Sequence, residues 1–194
     1  LERQLLTCTP DKDAIAFSHI EIQQVLYEGL SSLKRRLMHR EAGEALERRY
    51  PPEPHQRVEA LAYHFLQAGE LEKGLLYCIQ AAMQAKSSYA SQSALYWYSI
   101  ALDVMDQLGQ DNVSPQQRFE LLLAREQIYN DQGNRHAQNT DLTALQNLAQ
   151  ALNDPAKQAI IHKRQSTYEH GMNHLSEALT EAQTGLIAAR QSSN

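Results

Sequence analysis

Val58 to Ala82 reads VEALAYHFLQAGELEKGLLYCIQAA. Val58, Leu61, Ala62 and Phe65 recur at helical spacing and make one apolar face. Ala68-Gly69-Glu70 interrupts it, and Gly69 is the residue that tolerates the left-handed stop of a helix. Leu71, Gly74, Leu75, Cys78, Ala81 and Ala82 then form a second face, dominated by small residues that let two backbones approach closely. So short a connection predicts two antiparallel helices in a hairpin. One hairpin leaves apolar surface uncovered, so neighbours of the same kind are expected along the chain.

Ala62, Phe65, Gly69, Gly74, Cys78 and Ala81 fall where the tetratricopeptide pattern has small, aromatic, glycine, small, aromatic and alanine residues. The stretch resembles a tetratricopeptide hairpin, with Gly74 and Cys78 departing from the usual alanine and aromatic. The resemblance implies an architecture and names no ligand.

Composition points the same way. Ala, Leu, Gln and Glu are abundant, while Gly (8) and Pro (6) are few in 194 residues, which favours helix over strand. The net charge is -5. Nine basic and nine acidic residues lie up to Arg57, and nine and fourteen follow, so the helical part is the acidic one. Binding to nucleic acid through phosphates needs a basic field and is not expected. Two cysteines, Cys8 and Cys78, build no disulfide framework, and a thiol on an apolar face fits a reducing, cytoplasmic setting. No apolar run approaches the roughly 20 residues of a membrane helix, and no secretory signal is visible. The chain begins at Leu1 in mid-pattern, which suggests a piece of something longer.

Before the quoted stretch, LLTCT and AIAFS flank Pro10-Asp11-Lys12-Asp13 and read as a β-hairpin. Ser18 with Glu21 forms a capping-box signal for a helix whose apolar face is Ile22, Val25, Leu26 and Leu30, ended by Gly29-Leu30-Ser31. Ser32 opens a second helix through Leu33, Leu37, Ala42, Ala45 and Leu46, stopped at Tyr50-Pro51-Pro52-Glu53-Pro54. After the quoted stretch, Ala94, Leu95, Tyr98, Ala101, Leu102, Met105 and Leu108 form a stripe. Ser114-Pro115 starts the next helix, with Phe119, Leu122, Leu123 and Tyr129 leading to Gly133. Ala137, Leu142, Leu145, Leu148, Ala149 and Leu152 follow, up to a break at Asn153-Asp154-Pro155. Ala159, Ile160, Arg164 and Tyr168 then lead to a turn at Gly171, and Leu175, Ala178, Leu179, Ala182, Leu186 and Ala189 close the series. Helix-glycine-helix units are thus expected around Gly69, Gly133 and Gly171, stacking into a right-handed solenoid.

A second resemblance covers residues 17–82. Phe17-Ser-His19, Val25-Leu26-Tyr27-Glu28-Gly29-Leu30-Ser31, Arg36-Leu37-Met38-His39, Ala45-Leu46-Glu47, Leu61-Ala62-Tyr63-His64-Phe65 and Ala68-Gly69-Glu70 occur in that order. The string is similar to the region that follows the nucleotide-binding core of bacterial STAND-type regulatory ATPases, which include large LuxR-type activators and cyclase- or kinase-linked relatives. That resemblance implies a winged-helix-like element followed by a helical-repeat sensor. The phosphate-binding GxxxxGK[ST] loop of such ATPases is absent from this chain, so no ATP hydrolysis is expected within it.

Several side chains invite a role. Lys34, Arg35, Arg36 and Arg40 are the strongest basic patch, suited to a nucleotide phosphate, DNA or an acidic partner domain; the plainer alternative is a solvated face with Glu41 and Glu44 as partners. Arg125 and Asp141 fall on packed faces that a hairpin around Gly133 sets opposite one another, which predicts an ion pair fixing the register. Arg164 takes a similar position one unit on. Tyr63, Tyr89, Tyr96, Trp97 and Tyr98 concentrate aromatic surface. Tyr98 belongs to the core by its period, leaving Tyr63, Tyr96 and Trp97, with Arg125 and Arg164, as the candidate partner or effector surface. His170 and His174 have metal-ligand spacing, but Gly171 between them breaks the helix, and no HExxH string exists. His19, His39 and His64 are expected to pack at helix junctions and bond backbone carbonyls.

The expectation is an all-α chain: a winged-helix-like element with a hairpin over residues 1–55, then a tetratricopeptide-like α-α superhelix over 56–194. It is a non-catalytic relay module needing no cofactor or metal. Its partners are the ATPase core of the same longer chain and a peptide, protein or small effector on the concave surface. The alternative is a free-standing tetratricopeptide scaffold binding a partner's peptide.

Overall fold

The computed structural model describes residues 6–8, 15–49 and 57–192. Two short strands, β1 (Leu6–Cys8) and β2 (Ile15–Phe17), pair antiparallel with Leu6 opposite Phe17 and Cys8 opposite Ile15. The connection expected at Pro10 to Asp13, and the proline-rich stop at Tyr50 to Pro54, lie outside the described residues. Everything else with regular structure among the described residues is helical: α1 (Ile20–Glu28), α2 (Ser32–Arg49), α3 (Val58–Ala68), α4 (Leu71–Ser87), α5 (Ser91–Leu108), α6 (Pro115–Asp131), α7 (Arg135–Ala151), α8 (Pro155–Gly171) and α9 (Leu175–Ser192), with one 3-10 turn at Gln110–Asn112. The chain is all-α in class. It falls into two compact units, Leu1–Gly74 and Leu75–Asn194, and the division expected at 55/56 lies inside the first. No helix among the described residues is long and apolar enough to cross a membrane.

One device ends four of these helices, α3, α4, α6 and α8. The residue after the last turn adopts a left-handed φ, its N–H bonds the carbonyl three back, and the next N–H reaches five back. At Gly69 (φ +80°), Gly69 N donates to Leu66 O at 3.0 Å and Glu70 N to Phe65 O at 2.9 Å. Gly133 repeats it, with Asn134 N on Tyr129 O at 2.9 Å. The third expected glycine does not: Gly171 is the last residue of α8, and Asn173 (φ +64°) takes the left-handed position, with His174 N on Glu169 O at 2.9 Å. Asparagine tolerates this region because its short side chain adds little clash there.

Tyr89 (φ +59°) does the same between α4 and α5, with Ala90 N on Ala85 O at 2.8 Å. A bulky side chain in this region is strained, and Tyr89 is 91% exposed, so no packing offsets the strain. Tyr89→Gly is therefore expected to stabilise the protein by about 1 kcal/mol, read as a higher urea midpoint at unchanged slope.

In the C-terminal unit, sequence neighbours pack in turn: α5 on α6, α6 on α7, α7 on α8, and α8 on α9. The N-caps of α6, α7 and α8 are built from side chains. Ser114 Oγ accepts from Gln117 N with Pro115 at the first helical position, Asn134 Oδ1 accepts from Ala137 N, and Asp154 Oδ1 accepts from Ala156 and Lys157 N, with Pro155 following. The hairpins α6/α7 and α8/α9 repeat each other at forty residues, Pro115 against Pro155, Arg135 against Leu175, and Gly133 against Asn173. That period is longer than the tetratricopeptide 34.

The core faces differ from expectation at both ends. In the N-terminal unit, α1 has no buried residue, and Val25 and Leu26 are 69% and 55% exposed. The residue at its N-cap is His19, one past the expected Ser18, and makes no side-chain cap bond. On α2, Leu33 and Leu37 face solvent while His39 and Gly43 are buried. The reason is close approach: a Cβ on Gly43 would stand 3.0 Å from the Phe65 ring of α3, so α2 meets α3 through its smallest residue. Gly74 is likewise the point where α4 begins against Leu66 of α3.

On α9, small residues again carry the contact. Ala178, Gly185 and Ala188 are buried, and Gly185 sits against His162 of α8, whereas Leu175, Leu179 and Leu186 are each about 60% exposed. On α8 the buried residue is Ile161, and Ile160 faces outward.

Cys78 is fully buried, and burial pushes its thiol up to about 12. Only the thiolate reacts, so maleimide labelling at pH 8 is expected to run about a thousandfold slower than for a free cysteine and to follow unfolding.

Candidate functional site

The C-terminal unit holds a ladder of polar side chains between its helices. Arg125 of α6 grips Asp141 of α7 with both arms of its guanidinium: Nε donates to Oδ2 at 2.9 Å and Nη2 to Oδ1 at 2.6 Å. The third nitrogen, Nη1, donates to Ser99 Oγ of α5 at 3.0 Å. Asp141 is buried. Burial alone would lower the Arg125 pKa, but the hydrogen bonds and charge of Asp141 outweigh it and hold it above its ordinary value. This geometry links three helices at one cation and admits one register only.

One residue on, Glu126 is fully buried. Its Oε1 accepts from Gln138 Nε2 of α7 at 2.7 Å, and Gln138 also reaches Asn130 Oδ1 at 3.2 Å. Arg135 Nη1 closes the group, donating to Gln138 Oε1 at 2.6 Å and Asn130 Oδ1 at 3.0 Å. Glu126 Oε2 has no hydrogen bond; Arg164 Nη1 of α8 lies 3.6 Å away and donates to Gln127 Oε1 instead. Burial raises the Glu126 pKa, and the Gln138 bond and the Arg164 charge only partly oppose it.

As the pH climbs above 4.5, the unfolded carboxyl therefore loses its proton before the folded one does, and the fold loses stability across that window. Glu126→Gln should remove this loss and raise stability at pH 7 by on the order of 1 kcal/mol. Melting curves at pH 4.5 and 7 check both the sign and the window.

The N-terminal unit gathers a second cluster. His39 of α2 is buried; its Nε2 is 2.9 Å from Tyr27 Oη of α1, and its Nδ1 is 3.0 Å from His64 Nδ1 of α3. Tyr27 and Tyr63 each stand edge-on to the His39 ring. An open cavity of about 440 Å³ borders the cluster, walled by Ile20, Gln23, Gln24, Tyr27, Met38, Ala42 and Tyr63 as well as the two histidines. Burial lowers the His39 pKa; burial and then the charge of His39 lower that of His64.

Compared with known proteins, the chain matches no family model, no curated protein and no solved structure. Its residues carry the functional argument alone.

The aromatic candidates separate. Tyr96 is 58% exposed and Tyr63 is half exposed, but Trp97 is buried with Tyr98, so Trp97 lies in the core and not on a partner surface. Arg125 is committed to Asp141 and Ser99, and Arg164 to Gln127 and Glu126, which removes both from a free recognition face.

The basic run does not form one patch. Arg35 lies over the Tyr27 ring at 5.4 Å, Arg36 stands beside Gly69, Arg40 reaches Glu70 at 3.9 Å, and Lys34 is exposed. Glu44 pairs with Arg48, not Arg40. His39 bonds side chains where backbone carbonyls were expected, and His19 is exposed. His174 Nδ1 bonds Glu169 Oε2 at 2.9 Å. Among the described residues, no three His, Cys, Asp or Glu side chains stand close enough to hold a metal ion. Glu126 and Gln138 had no signal in the sequence, since a polar residue in a helix is usually a solvated one.

Proposed function

We propose that this chain is a non-catalytic interaction and relay module: a winged-helix-like element leading into a stacked helical-repeat array, working in the cytoplasm as part of a multidomain regulatory ATPase. The observation that carries the reading is the apolar surface of the N-terminal unit. Ile20, Val25 and Leu26 of α1 and Leu33, Leu37 and Met38 of α2 are exposed, with Lys34, Arg36 and Arg40 on the same helix. Exposed apolar residues on two successive helices, with cations on the second, suit a surface that a partner covers. The ordered string from Phe17 to Glu70 supports the core of a STAND-type ATPase as that partner. The exposed Leu175, Leu179 and Leu186 of α9 offer a face for a protein partner or effector. Binding there would act by favouring one of two packings of the array on the core.

The test is the reading frame upstream of Leu1. A GxxxxGK[ST] loop in the same frame is the expected result. A start codon directly before Leu1 would overturn the assignment in favour of a free-standing scaffold.

A further inference from the structure

We infer that Tyr27, His39 and His64 form a proton relay that accepts one proton and is broken by a second, making the packing of α1, α2 and α3 sensitive to acid. The three side chains come from three different helices and touch in series, Tyr27 Oη to His39 Nε2 at 2.9 Å and His39 Nδ1 to His64 Nδ1 at 3.0 Å. Two Nδ1 atoms at that distance share one hydrogen. With both rings neutral, one Nδ1 donates and the other accepts.

A first proton is accommodated without movement. It belongs to the pair: one Nδ1 carries the hydrogen and donates to the other, while His39 donates from Nε2 to the Tyr27 oxygen, whose hydroxyl hydrogen turns outward. A second proton places hydrogens on both Nδ1 atoms, and two cations then face each other at a part-buried contact.

The groups facing the pair offer no relief. From α1 comes the Tyr27 hydroxyl; from α2, Arg35, itself a cation, lies over the Tyr27 ring; from α3 come His64 and Tyr63. No carboxylate among the described residues contributes to the shift of either imidazole, and both shifts run downward. The contact also holds α1, which has no buried residue of its own, to α2.

The sign follows. Once opened, both histidines titrate near the ordinary 6.5, so below that value the open form holds two protons and the closed form one. Wherever the closed pair holds one proton and the open form two, the opening constant of the α2–α3 contact rises by up to about tenfold for each pH unit below 6.5.

The experiment is amide hydrogen exchange of α2 and α3 in the whole chain across pH 7 to 4.5, corrected for intrinsic exchange and paired with two-bond proton–nitrogen spectra of the imidazoles. His64→Gln is the partner variant, because its amide either donates to or accepts from His39 Nδ1 and so tolerates the single remaining proton. The tenfold slope is expected in the wild type and lost in H64Q, and the wild-type spectra should show the two rings titrating in separate steps. Equal slopes in both proteins would overturn the relay. So would two rings titrating independently near 6.5, a readout that stands even if H64Q does not fold.

Discussion

Asp141→Ala is expected to cost the C-terminal unit about 3–5 kcal/mol, because it leaves the part-buried Arg125 guanidinium between helices without its carboxylate. Two charged hydrogen bonds, at 2.9 and 2.6 Å, are lost at once, and Ser99 alone does not neutralise the cation. Asp141→Asn should cost less, since one acceptor survives. Urea unfolding followed by helical circular dichroism measures both, and a loss below about 1 kcal/mol for D141A would mean that water already solvates the pair.

Phe65→Ala is expected to cost the N-terminal unit about 3–5 kcal/mol. The ring is fully buried, it meets α2 at Gly43, and Lys73 Nζ lies 4.5 Å above its face. Glycine at position 43 has no side chain to move into the space, so the cavity stays open. Phe65→Leu refills most of it and should cost about half as much. The loss should appear in amide protection of α2 and α3.

Helices and most of their breaks were legible in the sequence, for identifiable reasons. Proline after a capping residue, as at Ser114-Pro115 and Asp154-Pro155, marks a helix start whatever surrounds it. Gly69 and Gly133 mark stops because glycine enters the left-handed region freely. Tyr89 and Asn173 perform the same turn without that signal, so the sequence marks no stop at Tyr89 and points to Gly171, two residues before the left-handed Asn173.

Which face of a helix is buried was less legible. Leu33, Leu37, Leu175, Leu179 and Leu186 have the spacing of core leucines yet face outward. The contact goes to Gly43, Gly185 and their small neighbours, because backbone approach rewards the smallest side chain and leaves the leucines beside the seam. Periodicity reports that a stripe is apolar, and the neighbouring helix decides whether that stripe is covered.

The polar ladder was half legible. Arg125 and Asp141 stood out as charges on otherwise apolar faces, and their geometry shows a bidentate pair. Glu126, Gln138 and Asn130 gave no such contrast, since amides and carboxylates are ordinary residues of solvated helices. The same holds for His39 and His64, which lie twenty-five residues apart and meet only once α2 packs on α3.

The account depends on α6 and α7 lying antiparallel in one register, with the guanidinium at 125 meeting the carboxylate at 141. A double-mutant cycle tests this most directly, with Arg125→Met, Asp141→Leu and the two combined, each unfolded in urea. The double variant should be more stable than the sum of the single losses predicts, with a coupling of about 2–3 kcal/mol. Losses that add to within about 0.5 kcal/mol would mean that the two side chains do not meet, and the register would be wrong.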